Sequence, residues 1–112
     1  MSPLTTHILD TRLGRPAGGV AVQLEKLVAD DWQLVASGVT NDDGRIGQLL
    51  APDGLSAGRH RMTFETRAYF DKQQIDYFYP RVTVEFEITG ADQHYHVPLL
   101  LSPFGYSTYR GS

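Results

Sequence analysis

One stretch of the chain alternates polar and apolar side chains without interruption: Arg81-Val82-Thr83-Val84-Glu85-Phe86-Glu87-Ile88. Successive side chains of a β-strand point to opposite faces of the sheet, so this alternation predicts a strand with one buried and one solvated face. Strands of this kind are typical of antiparallel sheets that cover a core on one side.

Most of the remaining chain has the same character. Turn signals such as Gly14-Arg15-Pro16 and Asn41-Asp42-Asp43-Gly44 separate runs rich in β-branched and aromatic residues. The other predicted strands are Leu4–Thr11, Gly19–Val28, Trp32–Thr40, Gly58–Glu65, Gln93–Leu101 and Tyr106–Arg110. The segment Thr66–Gln74 lacks the alternation and is predicted to form a helix of about two turns with Thr66 as its N-cap. Seven or eight strands and one short helix predict an all-β fold, a two-sheet sandwich with Greek-key-like connections.

The composition indicates a single globular domain over residues 1–112. Hydrophobic residues make up 41% of the chain and charged residues 21%, which are ordinary values for a folded protein. Ten Lys and Arg against thirteen Asp and Glu give a net charge of −3 without a basic cluster, so we expect no nucleic-acid partner. The lack of cysteine excludes disulfides, thiolate metal sites and cysteine nucleophiles.

The sequence shows no targeting signal and no membrane segment. Residues Met1–Thr6 contain neither a basic region nor an apolar run, unlike a signal peptide. The apolar stretch Val97–Leu101 is far too short to span a bilayer. We therefore expect a soluble cytoplasmic protein without a membrane partner.

The motif His94-Tyr95-His96 is the most informative group of titratable residues. Strand alternation places both histidines on one face and Tyr95 on the other, which continues as the core face. The histidine face continues through Pro98 and Leu100, so the strand becomes apolar on both faces, and we expect a ligand or another subunit to cover it. Pro98 lacks an amide N–H, which favours an edge position or a bulge.

For the other candidate residues, the sequence alone gives weaker evidence of a functional role. His7 lies in the middle of a predicted strand, where a half-exposed surface histidine is the common case. His60 lies between two arginines and is expected to be a solvated edge residue, while Arg45 follows a turn and resembles an ordinary surface arginine. The His-x-His pair could bind zinc with His7 as a third ligand, but no carboxylate or second histidine pair has matching spacing. We therefore predict no metal site.

Three separated pieces of the chain resemble the transthyretin-related proteins. They are Leu4–Thr11 with Gly14-Arg15-Pro16-Ala17, the segment His94–Pro103, and the ending Tyr106–Ser112. The last four residues, Tyr109-Arg110-Gly111-Ser112, are similar to the signature of the family's enzymatic branch, the 5-hydroxyisourate hydrolases. In the hormone-carrying transthyretins the chain continues differently at this point.

The resemblance implies a transthyretin-like sandwich of two four-stranded sheets, assembled as a homotetramer (a dimer of dimers) with active sites in a channel where dimers meet. It places catalytic roles on His7, Arg45 and His96, and substrate-binding roles on Tyr109 and Ser112, with no metal or other cofactor. The implied reaction is hydrolysis of 5-hydroxyisourate to 2-oxo-4-hydroxy-4-carboxy-5-ureidoimidazoline in urate degradation. A histidine would take the proton of the attacking water while Arg45 stabilises the oxyanion.

Two alternatives belong to other classes of protein. A non-catalytic transthyretin-like carrier would hold a small ligand in the same channel, but it needs an apolar channel and has no use for two histidines and an arginine. An extracellular adhesion module would fit the fold but would require a signal peptide. The sequence also leaves open which of His7 and His96 is the general base, and whether His94 is catalytic or only supports His96.

Overall fold

The chain folds into two four-stranded sheets packed face to face, as predicted. The computed structural model describes residues 2–90 and 92–111. Within them lie the strands β1 (Leu4–Asp10), β2 (Arg15–Pro16), β3 (Ala21–Val28), β4 (Asp31–Val39), β5 (Gly58–Glu65), β6 (Val82–Ile88), β7 (Tyr95–Ser102) and β8 (Gly105–Thr108), and the helix α1 (Thr66–Lys72). The strand orders are β2-β1-β7-β8 and β4-β3-β5-β6.

The pairing of β1 with β7 joins the two ends of the chain. These strands run parallel, and their register places Thr5 opposite His96 and His7 opposite Pro98. The other neighbouring strands in both sheets pair antiparallel. The parallel pair therefore brings residues that are 91 positions apart in the sequence onto adjacent strands.

The core lies between the sheets and is built from alternate residues of each strand. From the first sheet it includes Leu4, Ile8, Tyr95, Val97, Leu99 and Leu101, and from the second Val22, Leu24, Met62, Phe64, Val82 and Ile88. Each large apolar side chain buried in this way contributes about 1.5–3 kcal/mol relative to an exposed one. The predicted alternation of β6 is confirmed, since its glutamates are exposed while its two ends are buried.

The short helix α1 is confirmed, but Thr66 is its first residue and not its N-cap. Glu65 occupies the cap position and makes no capping hydrogen bond through its side chain. Thr66 is fully buried, and its hydroxyl donates to the carbonyl of Tyr79 at 3.0 Å. A buried hydroxyl takes whichever partner the packing supplies, which here is a carbonyl of the following loop.

The prediction for His60 is wrong, because β5 is an interior strand between β3 and β6. His60 shares the core-facing set of β5 with Met62 and Phe64 and is only 1% exposed. Its ring stacks on Phe86 with centroids 6.1 Å apart, and Nδ1 lies 3.0 Å from the carbonyl oxygen of Gly58.

Two predictions about prolines need correction as well. The segment predicted as the turn Gly14-Arg15-Pro16 contains the short edge strand β2, where the missing N–H of Pro16 is tolerated. Pro98 lies in an interior strand, but its carbonyl faces the β8 side, where it accepts a hydrogen bond from the Thr108 hydroxyl at 2.7 Å. Its ring nitrogen faces the same side, just beyond the last β7–β8 pair, so the proline interrupts neither ladder.

In the part of the chain that the structure describes, no helix is long and apolar enough to cross a membrane.

Candidate active site

The outer face of the first sheet gathers the predicted histidines. Thr5 and His7 of β1 point away from the core, as do His96 and Leu100 of β7, and all four are half-buried. The predicted division of β7 into a core face and a histidine face is therefore confirmed. Pro98 belongs to the same outer face and is buried next to His7.

His7 and His96 lie diagonally across the two parallel strands. His96 is opposite Thr5, two residues before the position opposite His7. With strands about 4.8 Å apart and a rise of about 3.3 Å per residue, the two histidine Cα atoms are about 8 Å apart. A small heterocycle placed over this face can contact both rings.

Arg45 is held by a tight turn over residues 41–45, shortly after the end of β4. The amide of Asn41 donates to the carbonyl of Arg45 at 2.8 Å, and the amide of Gly44 donates to the carbonyl of Asn41 at 2.9 Å. The Asn41 side-chain oxygen also accepts the amides of Asp43 at 2.9 Å and Arg45 at 3.1 Å. These four hydrogen bonds fix the backbone of the turn from within.

The turn docks against the part of β1 that β2 leaves uncovered. The Gly44 carbonyl accepts the amide of Ile8 at 2.9 Å, and Arg45 forms an isolated antiparallel bridge with His7. Gly44 has a φ of +72°, a conformation that glycine adopts without strain. The predicted Arg45 therefore lies beside His7, although the two residues are far apart in sequence.

The backbone near the C-terminal end of the chain contacts His96. The amide of Gly111 donates to the His96 carbonyl at 2.7 Å. A Cβ atom at Gly111 would lie 2.6 Å from His96 Cδ2, so a glycine is required for this close approach. The backbone after β8 thus packs directly against one of the candidate catalytic rings.

The structure places Tyr109 apart from the histidines. Tyr109 is 58% exposed and lines a groove of about 360 Å³ at the open edge between the sheets, next to Phe86 and Val97. Ser112, the other predicted substrate-binding residue, lies outside the described residues. The described site therefore brings together His7, Arg45 and His96 but not the side chain of Tyr109.

Both histidines of the site are shifted toward the neutral form. Burial lowers the pKa of His7, the positive charge of Arg45 lowers it further, and the backbone and charge of Asp43 oppose these effects. Burial is also the largest cause that lowers the pKa of His96, followed by the charges of Arg45 and His94. A neutral imidazole can accept a proton, so the surroundings favour the basic form of both rings near pH 7.

Thr5 is a site residue that the sequence analysis missed. Its hydroxyl oxygen lies 2.8 Å from His96 Nδ1 and 3.2 Å from His94 Nε2. Thr5 and His7 are two residues apart and share a strand face, which was the available signal, but the pairing of β1 with β7 is needed to place Thr5 beside His96.

The described residues include no group of three or more His, Asp or Glu arranged to hold a metal ion.

The fold and the site together define a class of protein, a transthyretin-type β-sandwich that carries two imidazoles and a guanidinium on its outer face. The sandwich is similar to the crystal structure of transthyretin from Sparus aurata, with a TM-score of 0.93 and 37% identity over 99% of this chain and 97% of that chain. A profile of the HIUase/Transthyretin family matches residues 4–111, and the chain belongs to this family.

Relatives from distant organisms carry the name of the enzymatic branch. The 5-hydroxyisourate hydrolase of Salmonella typhimurium is 47% identical over 97% of this chain and 80% of its own length. The mouse 5-hydroxyisourate hydrolase is 46% identical over 99% of this chain and 96% of its own length. The resemblance drawn from the three sequence pieces is confirmed.

Proposed function

We propose that this chain is an enzyme that hydrolyses 5-hydroxyisourate to 2-oxo-4-hydroxy-4-carboxy-5-ureidoimidazoline, a step in urate degradation. The observation that carries the proposal is the convergence of His7, Arg45 and His96 from three segments onto one sheet face. The hydrolases at 46–47% identity match this chain over nearly its whole length, which supports the choice of substrate.

The site supplies the groups that ring opening requires. Water attacks a ring carbonyl carbon, and a neutral histidine accepts one of its protons while the carbonyl oxygen becomes an oxyanion. The Arg45 guanidinium offsets this negative charge, as pre-positioned cations do in other acyl-transfer sites. The C–N bond then breaks, the nitrogen takes a proton from an imidazolium, and the former carbonyl carbon becomes a carboxyl group of the opened product.

The transthyretin-like carrier is the less supported alternative. An apolar ligand gains nothing from a guanidinium and two neutral imidazoles, which must give up hydration to face it. The solved transthyretin from Sparus aurata is also less similar in sequence, at 37% identity against 46–47% for the hydrolases.

We further propose that the working form is a homotetramer, a dimer of dimers, in which another subunit covers the outer face around Leu100. The half-buried apolar surface on this face supports it. We propose substrate-binding roles for Tyr109 and Ser112, supported by the hydrogen bond that holds neighbouring Gly111 on His96. The cytoplasmic location and the lack of a nucleic-acid partner stay predictions.

The direct test follows 5-hydroxyisourate by ultraviolet absorbance after it is generated from urate by uricase. We expect decay well above the spontaneous rate with the wild-type chain, and loss of the acceleration in His96→Ala. A folded protein that does not accelerate the decay would refute the hydrolase function and make ligand-binding measurements the next step. Light scattering on the same sample measures the mass of the assembly, and a monomer or dimer that is fully active would refute the tetramer.

A further inference from the structure

We propose that Thr5 and His94 form a proton relay that carries the proton released by hydrolysis from His96 to solvent. The proposal rests on the proposed function. It assigns the general base to His96, and it gives a role to His94, which the sequence left undecided.

The geometry of the relay is set by one hydroxyl between two imidazoles. Thr5 Oγ1 is 2.8 Å from His96 Nδ1 and 3.2 Å from His94 Nε2, both within hydrogen-bond distance. The parallel register places Thr5 directly opposite His96, and strand alternation turns His94 to the same side. The three groups therefore form a continuous chain from the half-buried His96 to the exposed His94.

A threonine hydroxyl has a single proton, so the tautomers of the two histidines are linked. If His96 Nδ1–H donates to Thr5, Thr5 donates to His94 Nε2, and His96 Nε2 carries the lone pair that a base needs. If His94 Nε2–H donates to Thr5, Thr5 donates to His96 Nδ1, and His96 Nε2 carries a proton. Uptake of a proton at His96 Nε2, transfer along the chain and release of a proton from His94 Nδ1 convert the first arrangement into the second.

The reaction requires a path for one proton in each turnover. Hydrolysis of a ring amide gives an amine-type nitrogen, which takes one proton, and a carboxylic acid, which is ionised at neutral pH. The proton from that acid must leave the site. In the relay, His96 Nε2 accepts a proton as its Nδ1 proton passes to Thr5 Oγ1 and the Thr5 proton passes to His94 Nε2. The exposed His94 then releases its Nδ1 proton to water. No oxidant or additional reactant is needed.

The charges around His96 favour this direction of transfer. The groups that face it are Arg45 from the turn, His7 from β1 and His94 just before β7, and the charge of each disfavours an imidazolium at His96. Once the proton reaches His94, the charge lies on an exposed ring that water can solvate.

His7 has no equivalent path among the described residues. Its ring lies near Arg45 and the backbone of Asp43, and no side-chain hydrogen bond links it to a second imidazole. A histidine without an exit for its proton is suited to orienting substrate or protonating the leaving nitrogen. The relay therefore distinguishes the two histidines by their surroundings.

The kinetic test compares Thr5→Val, which keeps the shape and removes the hydroxyl, with Thr5→Ser, which keeps the hydroxyl. We expect Thr5→Val to lower kcat about fivefold to tenfold with little change in KM, the scale of one lost hydrogen bond, and Thr5→Ser to retain at least half of kcat. Thr11→Val, beyond the other end of β1, is the matched control and should leave kcat unchanged.

Imidazole rescue separates proton transfer from a structural role. We expect His94→Ala to lower kcat in dilute buffer and to recover as imidazole is added, after subtraction of the spontaneous decay, because free imidazole can take the proton from Thr5. We expect no rescue of Thr5→Val. Wild-type kcat in both variants, or a loss in His94→Ala that imidazole leaves unchanged, would overturn the relay.

Nitrogen NMR of ¹⁵N-histidine-labelled protein tests the linkage without substrate. We expect Thr5→Val to shift the tautomer populations of both His94 and His96, and Thr5→Ser to leave them as in the wild type. Unchanged His96 resonances in Thr5→Val would overturn the relay alone, even in an active hydrolase. A wild-type chain without hydrolase activity would overturn the relay together with the proposed function.

Discussion

Replacing Gly44 with alanine tests whether the turn before Arg45 assembles the site. Gly44 has a φ of +72°, and a Cβ atom there would lie 2.5 Å from the carbonyl oxygen of Ile8. Real Cβ atoms do not approach backbone oxygens this closely, so the turn has to move away from β1. The movement displaces the backbone of the next residue, Arg45, from its bridge with His7.

The expected loss of stability follows from two contributions. An alanine in the left-handed region costs about 1–2 kcal/mol relative to glycine. Moving the turn also stretches the hydrogen bond from Ile8 N–H to the Gly44 carbonyl, 2.9 Å long, and an unsatisfied buried amide costs about 1–3 kcal/mol. Together the substitution should destabilise the fold by about 2–5 kcal/mol. A misplacement of Arg45 by about 1 Å should lower kcat/KM about 10²-fold.

Gly47→Ala is the matched control, because no atom lies within 4 Å of a Cβ at that position and its φ is not in the left-handed region. Urea unfolding of both variants gives the loss of free energy, and decay of 5-hydroxyisourate, measured well below the unfolding midpoint, gives the activity. We expect Gly47→Ala to match the wild type in both. If Gly44→Ala unfolds within 1 kcal/mol of the control and keeps its activity, the turn does not position the arginine, and the reasoning fails.

Three further predictions concern charge and protonation. Arg45→Ala should lower kcat/KM about 10²–10³-fold, the usual loss for one electrostatic stabiliser. Arg67→Ala, on the exposed face of α1, should leave kcat/KM unchanged, and equal effects of the two substitutions in steady-state assays would exclude a catalytic role for Arg45. Burial and the Arg45 charge lower the pKa of His7 and His96 below the usual value of about 6.5. The pH at which kcat/KM falls to half its plateau should therefore lie below about 6.5, and a half-maximal pH above this value would contradict the shifts. Burial and a hydrogen bond to the buried Asp10 carboxylate raise the pKa of Tyr69 to about 12. The unfolded chain therefore loses this proton at lower pH than the folded chain, and the free energy of unfolding should decline as pH rises from about 10 to 12. Tyr69→Phe should remove this contribution in denaturation curves, and an unchanged alkaline slope would refute the assignment.

Local pattern was sufficient to predict most strands, because each strand buries one face and the alternation records which one. The polar residues of β6 are exposed in the structure, and its apolar residues are buried or half-buried in the same order. The division of β7 into a core face and a histidine face is equally local. Where a prediction depended on the position of a strand within the sheet, it failed.

His60 shows why position in the sheet is not encoded locally. Two flanking arginines indicate solvent, and both arginines are indeed more exposed than His60, since alternation turns them to the outer face. His60 points the other way, and it is buried because β6 covers the edge that would otherwise be open. That covering strand lies more than 20 residues further along the chain, so no window around His60 contains the information.

The candidate site has the same limitation in a stronger form. Alternation could place His94 and His96 on one face, but Arg45 comes from a turn and Thr5 from a strand at the other end of the chain, and each becomes a neighbour of a histidine only through the pairings of β1. The residues alone predicted an ordinary surface arginine, and Arg45 is indeed exposed, but only the family resemblance assigned it to the site. The structure supplies the physical reason for that resemblance: β2 is two residues long, so the edge of β1 beside His7 is free to receive the turn that carries Arg45. A longer β2 would occupy this edge, and the same sandwich would lose its guanidinium while keeping both histidines.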